Sequence, residues 1–137
     1  VLLTPDINDL LDDNIYKLEI VDETLYIPLW HHELYFDVSN NDLIVRCEPE
    51  LTQNMFIDAN NNLYCNVIKN IKDIMKVEEF HVNIGKHKFG VKVSSLKITD
   101  KEQTYIIRNR GILKINENHM YATNKRSDII LKIKLIV

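Results

Sequence analysis

Glycine, proline and cysteine are all scarce in this sequence of 137 residues, which has three glycines, three prolines and two cysteines. Gly85, Gly90 and Gly111 are too far apart to form the glycine-rich loop that cradles phosphate in nucleotide-binding proteins. Cys47 and Cys65 form no Cys-x-x-Cys motif and are too few for the disulfide framework of a small secreted domain. We therefore expect buried free thiols and a reducing, cytoplasmic location.

Long hydrophobic runs are missing as well. No stretch approaches about 18 consecutive apolar residues, so the sequence predicts no membrane span. The first residues, VLLTPDINDLL, have neither the basic region nor the small-residue cleavage site of a signal peptide, and no initiator methionine. We expect the chain to be a piece of a longer protein, and the alternative is a processed amino terminus.

Patterns that carry catalysis are also few. No serine has the local pattern of a nucleophile elbow, and the paired carboxylates Asp12 and Asp13 fall in a turn where solvent exposure is expected. His31 and His32 point to opposite faces of a strand, so only His31 and Glu33 could share one face. This pair has no His-x-x-x-His spacing, so it predicts no metal site. The simpler interpretation is a strand end where one imidazole is packed and the other is exposed to solvent. We predict a non-enzymatic protein without a cofactor, and an enzyme that uses His31 and Glu33 is the weakest alternative.

Short stretches that alternate apolar and polar residues are abundant. ELYFDV, NLYCNVI and DIILKIKLIV are enriched in β-branched and aromatic residues at a period of two, which is typical of half-buried strands. Turn signals separate these stretches at Ser39 to Asn41, Ala59 to Asn62 and Gly85 to Lys86, where Asn and Gly tolerate a left-handed backbone. The pattern predicts an all-β fold.

Two segments are predicted to be short helices instead. In PDINDLL, Pro5 is suited to the first helical position. In IKNIKDIM, Ile68, Ile71, Ile74 and Met75 would share one helical face. Each half of the chain would then contain one short helix beside its strands.

Charge divides the chain into two halves. Residues 1–62 hold 13 acidic and two basic residues, whereas residues 63–137 hold seven acidic and 15 basic residues. This division predicts two modules, residues 1–60 and 61–137. The alternative is that each half is simply solvated by its own sign of charge. The basic residues are scattered through strands rather than concentrated on a reading helix, so we predict no nucleic-acid partner.

A series of segments in the second half follows a recognisable order. It comprises the junction Phe56 to Tyr64, a helix at Ile71 to Met75, a hairpin at Ile84 to Lys86, a turn at Arg108 to Gly111 and a last strand opened by Ser127 to Ile129. This order resembles the C-terminal substrate-binding region of the J-domain co-chaperones, the DnaJ family. Asn or Lys replaces several glycines of the family's turns.

The resemblance extends to the first half. VLLTPDINDLL is similar to the family's first strand and helix, YKLEI to its second strand and TLYIPLW to the strand that follows. Many members insert a zinc-finger module between those last two strands, where this chain has only Val21 to Glu23. The resemblance implies two tandem small β-sandwich modules, each with a short helix, no zinc finger, and the double histidine in a strand-connecting turn.

In this family an unfolded or extended client polypeptide adds as a strand beside an apolar groove of the first module. The resemblance implies a client-binding groove lined by Val1 and Leu3 from the first strand and by Leu18 and Ile20 from the second, with Val45 beneath them. Ordinary core packing is the alternative for each of the five residues.

The family presents clients to the seventy-kilodalton heat-shock chaperone through a J domain marked by His-Pro-Asp. That tripeptide does not occur here, so the J domain would have to lie outside this chain. A homodimer would likewise need residues beyond Val137, where the family continues into a dimerising helix. Lys17 and Arg46 are the only basic residues of the first half, which argues against capture of the partner chaperone's acidic tail there. The alternative from another class is a structural or protein-interaction β-sandwich without a chaperone cycle.

Overall fold

The chain folds almost entirely into strands. The computed structural model describes residues 1–137 and has 47% of them in strands and 9% in helices, which confirms the predicted all-β class. The strands are β1 (Leu2–Leu3), β2 (Ile15–Ile20), β3 (Glu23–Pro28), β4 (Glu33–Val38), β5 (Asn41–Cys47), β6 (Met55–Ile57), β7 (Leu63–Asn70), β8 (Glu79–Ile84), β9 (His87–Lys92), β10 (Gln103–Ile107) and β11 (Ile129–Ile136). The helices are α1 (Ile7–Leu11), α2 (Ile71–Ile74) and one 3₁₀ turn at Val93–Ser95.

These strands form two sheets and two separate hairpins. The three-stranded sheet has the order β1-β5-β4, in which β1 runs parallel to β5. The four-stranded sheet has the order β10-β11-β7-β6, and its two central strands, β11 and β7, are parallel. The hairpins are β2-β3 and β8-β9.

The longest pairing of the fold joins β7 to β11. It runs from Leu63 beside Ile129 to Asn70 beside Ile136. Alternate residues of both strands point into the core, because successive side chains of a strand face opposite sides. The inward residues are fully or nearly fully buried: Leu63, Cys65, Val67, Ile129, Leu131, Ile133 and Leu135. A shift of one residue would expose this whole set, so the apolar alternation fixes the register.

Helix α1 starts two residues later than the sequence suggests, at Ile7 instead of Pro5. Asp6 is its N-cap, and the Asp6 carboxylate accepts a hydrogen bond from the Asp9 backbone N–H at 2.8 Å while the Asp9 carboxylate accepts one from the Asp6 N–H at 3.0 Å. This reciprocal capping box begins the helix at Ile7. Pro5 therefore precedes the cap. The prediction that Pro5 is the first helical residue is wrong.

Helix α2 is also shorter than expected. Ile68 belongs to β7, where it lies beside Lys134 of β11, because the parallel pairing continues to Asn70. The Asn70 side chain then caps the helix by accepting from the Lys72 N–H at 2.9 Å. Only Ile74 of the predicted apolar face is fully buried, and Met75 is exposed. The prediction of one helical face from Ile68 to Met75 was thus wrong at its start.

The predicted turns adopt the left-handed backbone that their residues favour. Ser39 and Asn40, which connect β4 and β5, have φ values of 51° and 66°. Asn61 and Gly85 have φ values of 63° and 59°. Each lies between paired strands, as the Asn and Gly signals predicted.

The core is shared by both halves of the sequence. One hydrophobic cluster of 24 buried residues includes Leu10 and Trp30 from the first half together with Leu63 and Ile112 from the second. Strand β6 precedes residue 60 but pairs with β7. The division into modules 1–60 and 61–137 remains a prediction. No helix in the chain has the length and apolar character needed to cross a bilayer.

We predict that Leu131→Ala lowers the free energy of unfolding by about 2–5 kcal/mol, because it leaves a cavity in the middle of β11. Ile136→Ala in the same strand is the matched control. It should lose about 1 kcal/mol or less, because Ile136 is 43% exposed. Urea unfolding followed by circular dichroism measures both. Equal losses in the two variants would contradict the assigned register.

Candidate functional site

Strand β1 has one unpaired edge. One edge of β1 pairs with β5, where Leu2 lies beside Arg46 and Leu3 beside Cys47. The Val1 ammonium group donates to the Ile44 carbonyl at 2.9 Å and so ties the first residue to the same strand. No strand pairs with the other side of β1.

Strand β2 also has one unpaired edge. It pairs with β3 only, with Leu18 opposite Leu25 and Ile20 opposite Glu23. The hairpin is closed by Val21 and Asp22, and Asp22 has a φ of 63°. The unpaired sides of β1 and β2 expose backbone groups that could pair with an added strand. The two strands belong to different sheets, and we call their unpaired edges together the amino-terminal margin.

The five predicted groove residues differ in burial. Val1 is 49% exposed, Val45 is completely buried, and Leu3, Leu18 and Ile20 are half-buried. The fold brings Leu3 and Leu18 against the hydrophobic cluster that contains Val45, whereas Val1 and Ile20 lie outside that cluster. Val45 has no exposed surface, so it cannot touch a client. None of the five lines the surface cavity of about 810 Å³ beside His32 and Glu33.

The end of the β2-β3 hairpin is acidic. Glu19, Asp22 and Glu23 are exposed there, and Lys17 is the only basic residue of the hairpin. Its ammonium group lies 3.3 Å from the Glu19 carboxylate. Both side chains are more than half exposed, so the pair contributes little to stability.

The two adjacent histidines lie in the connection between β3 and β4. His31 is buried, and its Nε2 donates to the Met120 carbonyl at 2.8 Å. His32 is exposed, and its Nε2 lies 2.6 Å from Oδ1 of Asn61. Glu33 pairs at 3.4 Å with Arg46. Each of these side chains thus has a protein partner, and no three histidine, cysteine or carboxylate side chains come together in a way that could hold a metal ion.

Asn61 connects three segments of the chain through one buried side chain. Its Nδ2 donates to the Trp30 carbonyl at 2.8 Å and to the Leu113 carbonyl at 2.9 Å. Because the amide nitrogen donates twice, Oδ1 is the acceptor and His32 Nε2 must carry the proton. All hydrogen-bonding positions of the Asn61 amide except one lone pair are therefore used.

The Asn61 backbone is held by Ser127, which is completely buried. The Ser127 hydroxyl lies within hydrogen-bond distance of the carbonyls of Asn61 and Ile112, and its backbone N–H donates to Ile112 at 2.8 Å. Since a hydroxyl has one proton, it donates to one of these carbonyls at a time. This joint between residues 61, 112 and 127 positions the start of β11.

Two carboxylates that the sequence suggested were solvated instead join the two halves. Asp12, just after α1, accepts from Lys86 at 2.6 Å and lies 2.8 Å from Nε2 of His87. The hydrogen bond to Lys86 is the main reason that the pKa of Asp12 is lowered, and the same bond raises the pKa of Lys86. Asp13 binds Arg126 through both carboxylate oxygens. No local sequence signal marks these pairs, because 113 residues separate Asp13 from Arg126.

Both cysteines are buried free thiols, as the sequence predicted. Burial raises the pKa of Cys47 to about 11 and also raises that of Cys65. Neither thiol is therefore activated as a nucleophile or a metal ligand near neutral pH.

Models of known protein families give no match to this chain, and no curated protein matches it.

We predict that Asn61→Gly lowers the free energy of unfolding by at least about 2 kcal/mol, because it leaves two buried carbonyls without donors. Glycine tolerates the φ of 63° at this position, so the loss reports the side chain. Asn60→Gly, at the exposed neighbouring position, is the control and should lose about 1 kcal/mol or less. Urea unfolding measures the difference, and equal stabilities would show that the joint is not needed.

We predict that acid destabilises the protein through His31. Burial is the main cause that lowers the pKa of His31 below its unfolded value of 6.5, and the charge of His32 adds to it. The unfolded chain therefore binds the proton first, and stability that is complete above pH 6.5 is lost as the pH falls below that value, by at most about 1.4 kcal/mol per pH unit.

His31→Gln tests whether the loss of stability in acid comes from His31, because glutamine keeps an N–H donor for the Met120 carbonyl and does not titrate. Its free energy of unfolding should change less between about pH 7.5 and about pH 5.5 than that of the wild type. His119→Gln, at an exposed position, should follow the wild type. Parallel curves for all three proteins would exclude His31 as the source.

Proposed function

We propose that this chain is the client-binding part of a zinc-finger-free J-domain co-chaperone, which holds unfolded or extended polypeptides without catalysis. The observation that carries the proposal is the amino-terminal margin, where the strands that the family uses, β1 and β2, each keep one edge unpaired. An added strand gains backbone hydrogen bonds that do not depend on its sequence. The order of strands and short helices along the chain also supports the proposal.

Apolar residues beside the margin would select the client. Leu3, Leu18 and Ile20 are half-buried, so each retains surface that a client side chain can cover. Burial of one client side chain contributes roughly 1.5–3 kcal/mol before ordering is subtracted, so a few anchors give weak, rapidly exchanging binding. This affinity suits a protein that must release its client.

The charge near the margin would favour basic clients. Glu19, Asp22 and Glu23 stand at the end of the β2-β3 hairpin, and net repulsion there opposes acidic segments. Transfer to the seventy-kilodalton chaperone would require a J domain outside this chain. The two buried free thiols support a reducing, cytoplasmic setting.

We predict that the chain suppresses aggregation of an unfolded client and that Ile20→Ser weakens this effect at least about threefold, because it removes one anchor. Ile20 lies outside the hydrophobic cluster, so the variant should fold normally. Ile98→Ser, at a residue that is 59% exposed in the second half, is the matched control. Light scattering of a thermally unfolded client measures suppression.

Leu18→Ser should have a larger effect, but it also touches the core, so its unfolding curve must be measured in parallel. Equal suppression by the wild type, Ile20→Ser and Ile98→Ser would contradict the groove assignment. No suppression by the wild type would favour the alternative, a structural or protein-interaction β-sandwich.

A further inference from the structure

The outer face of the four-stranded sheet carries a row of four apolar side chains. The register aligns Phe56 of β6 with Tyr64 of β7, Tyr64 with Ile130 of β11, and Ile130 with Ile106 of β10. Phe56 is 60% exposed and Ile106 is 42% exposed, and the rings of Phe56 and Tyr64 lie 5.5 Å apart. Tyr64 and Ile130, which lie between Phe56 and Ile106, are half-buried. We call these four side chains the four-residue row.

Two lysines lie beside the four-residue row. Lys132 follows Ile130 by two residues on β11, and Lys134 follows by two more, so both are on the same outer face. Neither forms a salt bridge, and the Lys132 ammonium group donates only to the Thr104 hydroxyl, at 3.0 Å. The outer face is therefore apolar across the four strands at Ile130 and positively charged two and four residues further along β11.

The outer face of the three-stranded sheet also carries charged residues beside an apolar pair, and their charge has the opposite sign. Tyr35 of β4 lies opposite Ile44 of β5, and these side chains are 65% and 42% exposed. Two residues further along, Asp37 lies opposite Asp42, and neither carboxylate forms a salt bridge or hydrogen bond with a side chain. Like charges directly opposite each other are destabilising, so this pair would gain from a cation supplied from outside.

From these two faces we infer that the protein associates with a second copy of itself, head to tail. The four-residue row of one copy packs on Tyr35 and Ile44 of the next. In the three-stranded sheet the Asp37–Asp42 pair lies two residues, about 6.6–6.8 Å, from the apolar pair, and in the four-stranded sheet Lys132 lies at the same distance from the four-residue row while Lys134 lies twice as far away. The same translation that pairs the apolar side chains therefore brings Lys132 over Asp37 and Asp42, with Lys134 two residues beyond them.

A second copy fits these observations better than nucleic acid does. The carboxylates of Asp58 and Asp128 lie at the other border of the four-residue row, where the Tyr64 hydroxyl lies 3.4 Å from Asp58 and Arg108 lies 3.8 Å from Asp128. Phosphates that followed the row would meet these carboxylates. The acidic first half and the basic second half of the chain, by contrast, are complementary to each other.

The contact is heterologous, since it joins two different surfaces. Each copy then keeps one free face of each kind, so association continues into open chains unless the rotation closes a ring. A face of four strands spaced about 4.8 Å apart is at most about 19 Å wide, so we expect weak association that salt reduces. This inference does not involve the amino-terminal margin and goes beyond the proposed function.

Sedimentation velocity of the full chain, from about 1 µM to about 1 mM, tests the inference. The wild type should associate as concentration rises, and raising the salt from about 0.02 M to about 0.5 M should weaken association at least tenfold. Asp37→Lys with Asp42→Lys should remain monomeric, and so should Lys132→Glu with Lys134→Glu. Glu50→Lys with Glu78→Lys changes exposed charges outside both faces and should associate like the wild type.

Mixing the two monomeric variants gives the decisive result. In the mixture each reversed face meets a partner of opposite charge, so association should return. A dimer built from two identical faces would survive in one of the variants and would overturn the head-to-tail arrangement.

A wild type that stays monomeric throughout, or a mixture that does not associate, would also overturn it. So would binding of an oligothymidylate that Lys132→Glu with Lys134→Glu abolishes in a chain that does not associate.

Discussion

The buried amide of Asn61 is the interaction on which the arrangement of the two halves depends. It supplies the donors for the Trp30 and Leu113 carbonyls, accepts from His32, and keeps a left-handed backbone that few residues tolerate. Buried carbonyls without donors are costly, so the β3-β4 connection, the segment before residue 113 and the start of β11 must meet at this side chain. Ser127 fixes the same point from the other side.

Charge acts at two levels in this molecule. Within the chain, Asp12 and Asp13 of the acidic half bind Lys86 and Arg126 of the basic half and so hold α1 against the second half. The remaining charges stay on the surface, where the acidic and basic faces complement one another. The same division of charge that suggested two modules therefore also joins the two halves of the chain.

The unpaired edges and the shared core together explain how an open margin can persist. The hydrophobic cluster and the long β7-β11 pairing stabilise the centre, so β1 and β2 need not be closed by further strands. Such edges invite pairing with other chains, which is useful only if binding is weak and reversible. The acidic end of the β2-β3 hairpin limits what can approach.

The sequence by itself determined the strands, the turns and the absence of phosphate-binding loops. The apolar–polar alternation of a strand and the left-handed backbone of a turn depend only on residues a few positions apart. It also predicted both helices, although the boundaries of α1 and α2 were decided by the Asp6 and Asn70 caps. Only the tertiary structure decided that Val45 is completely buried, that Asn61 is a buried joint and that Asp13 meets Arg126. These contacts join residues far apart in the chain, and the free energy that selects them comes from burial, which no local pattern encodes.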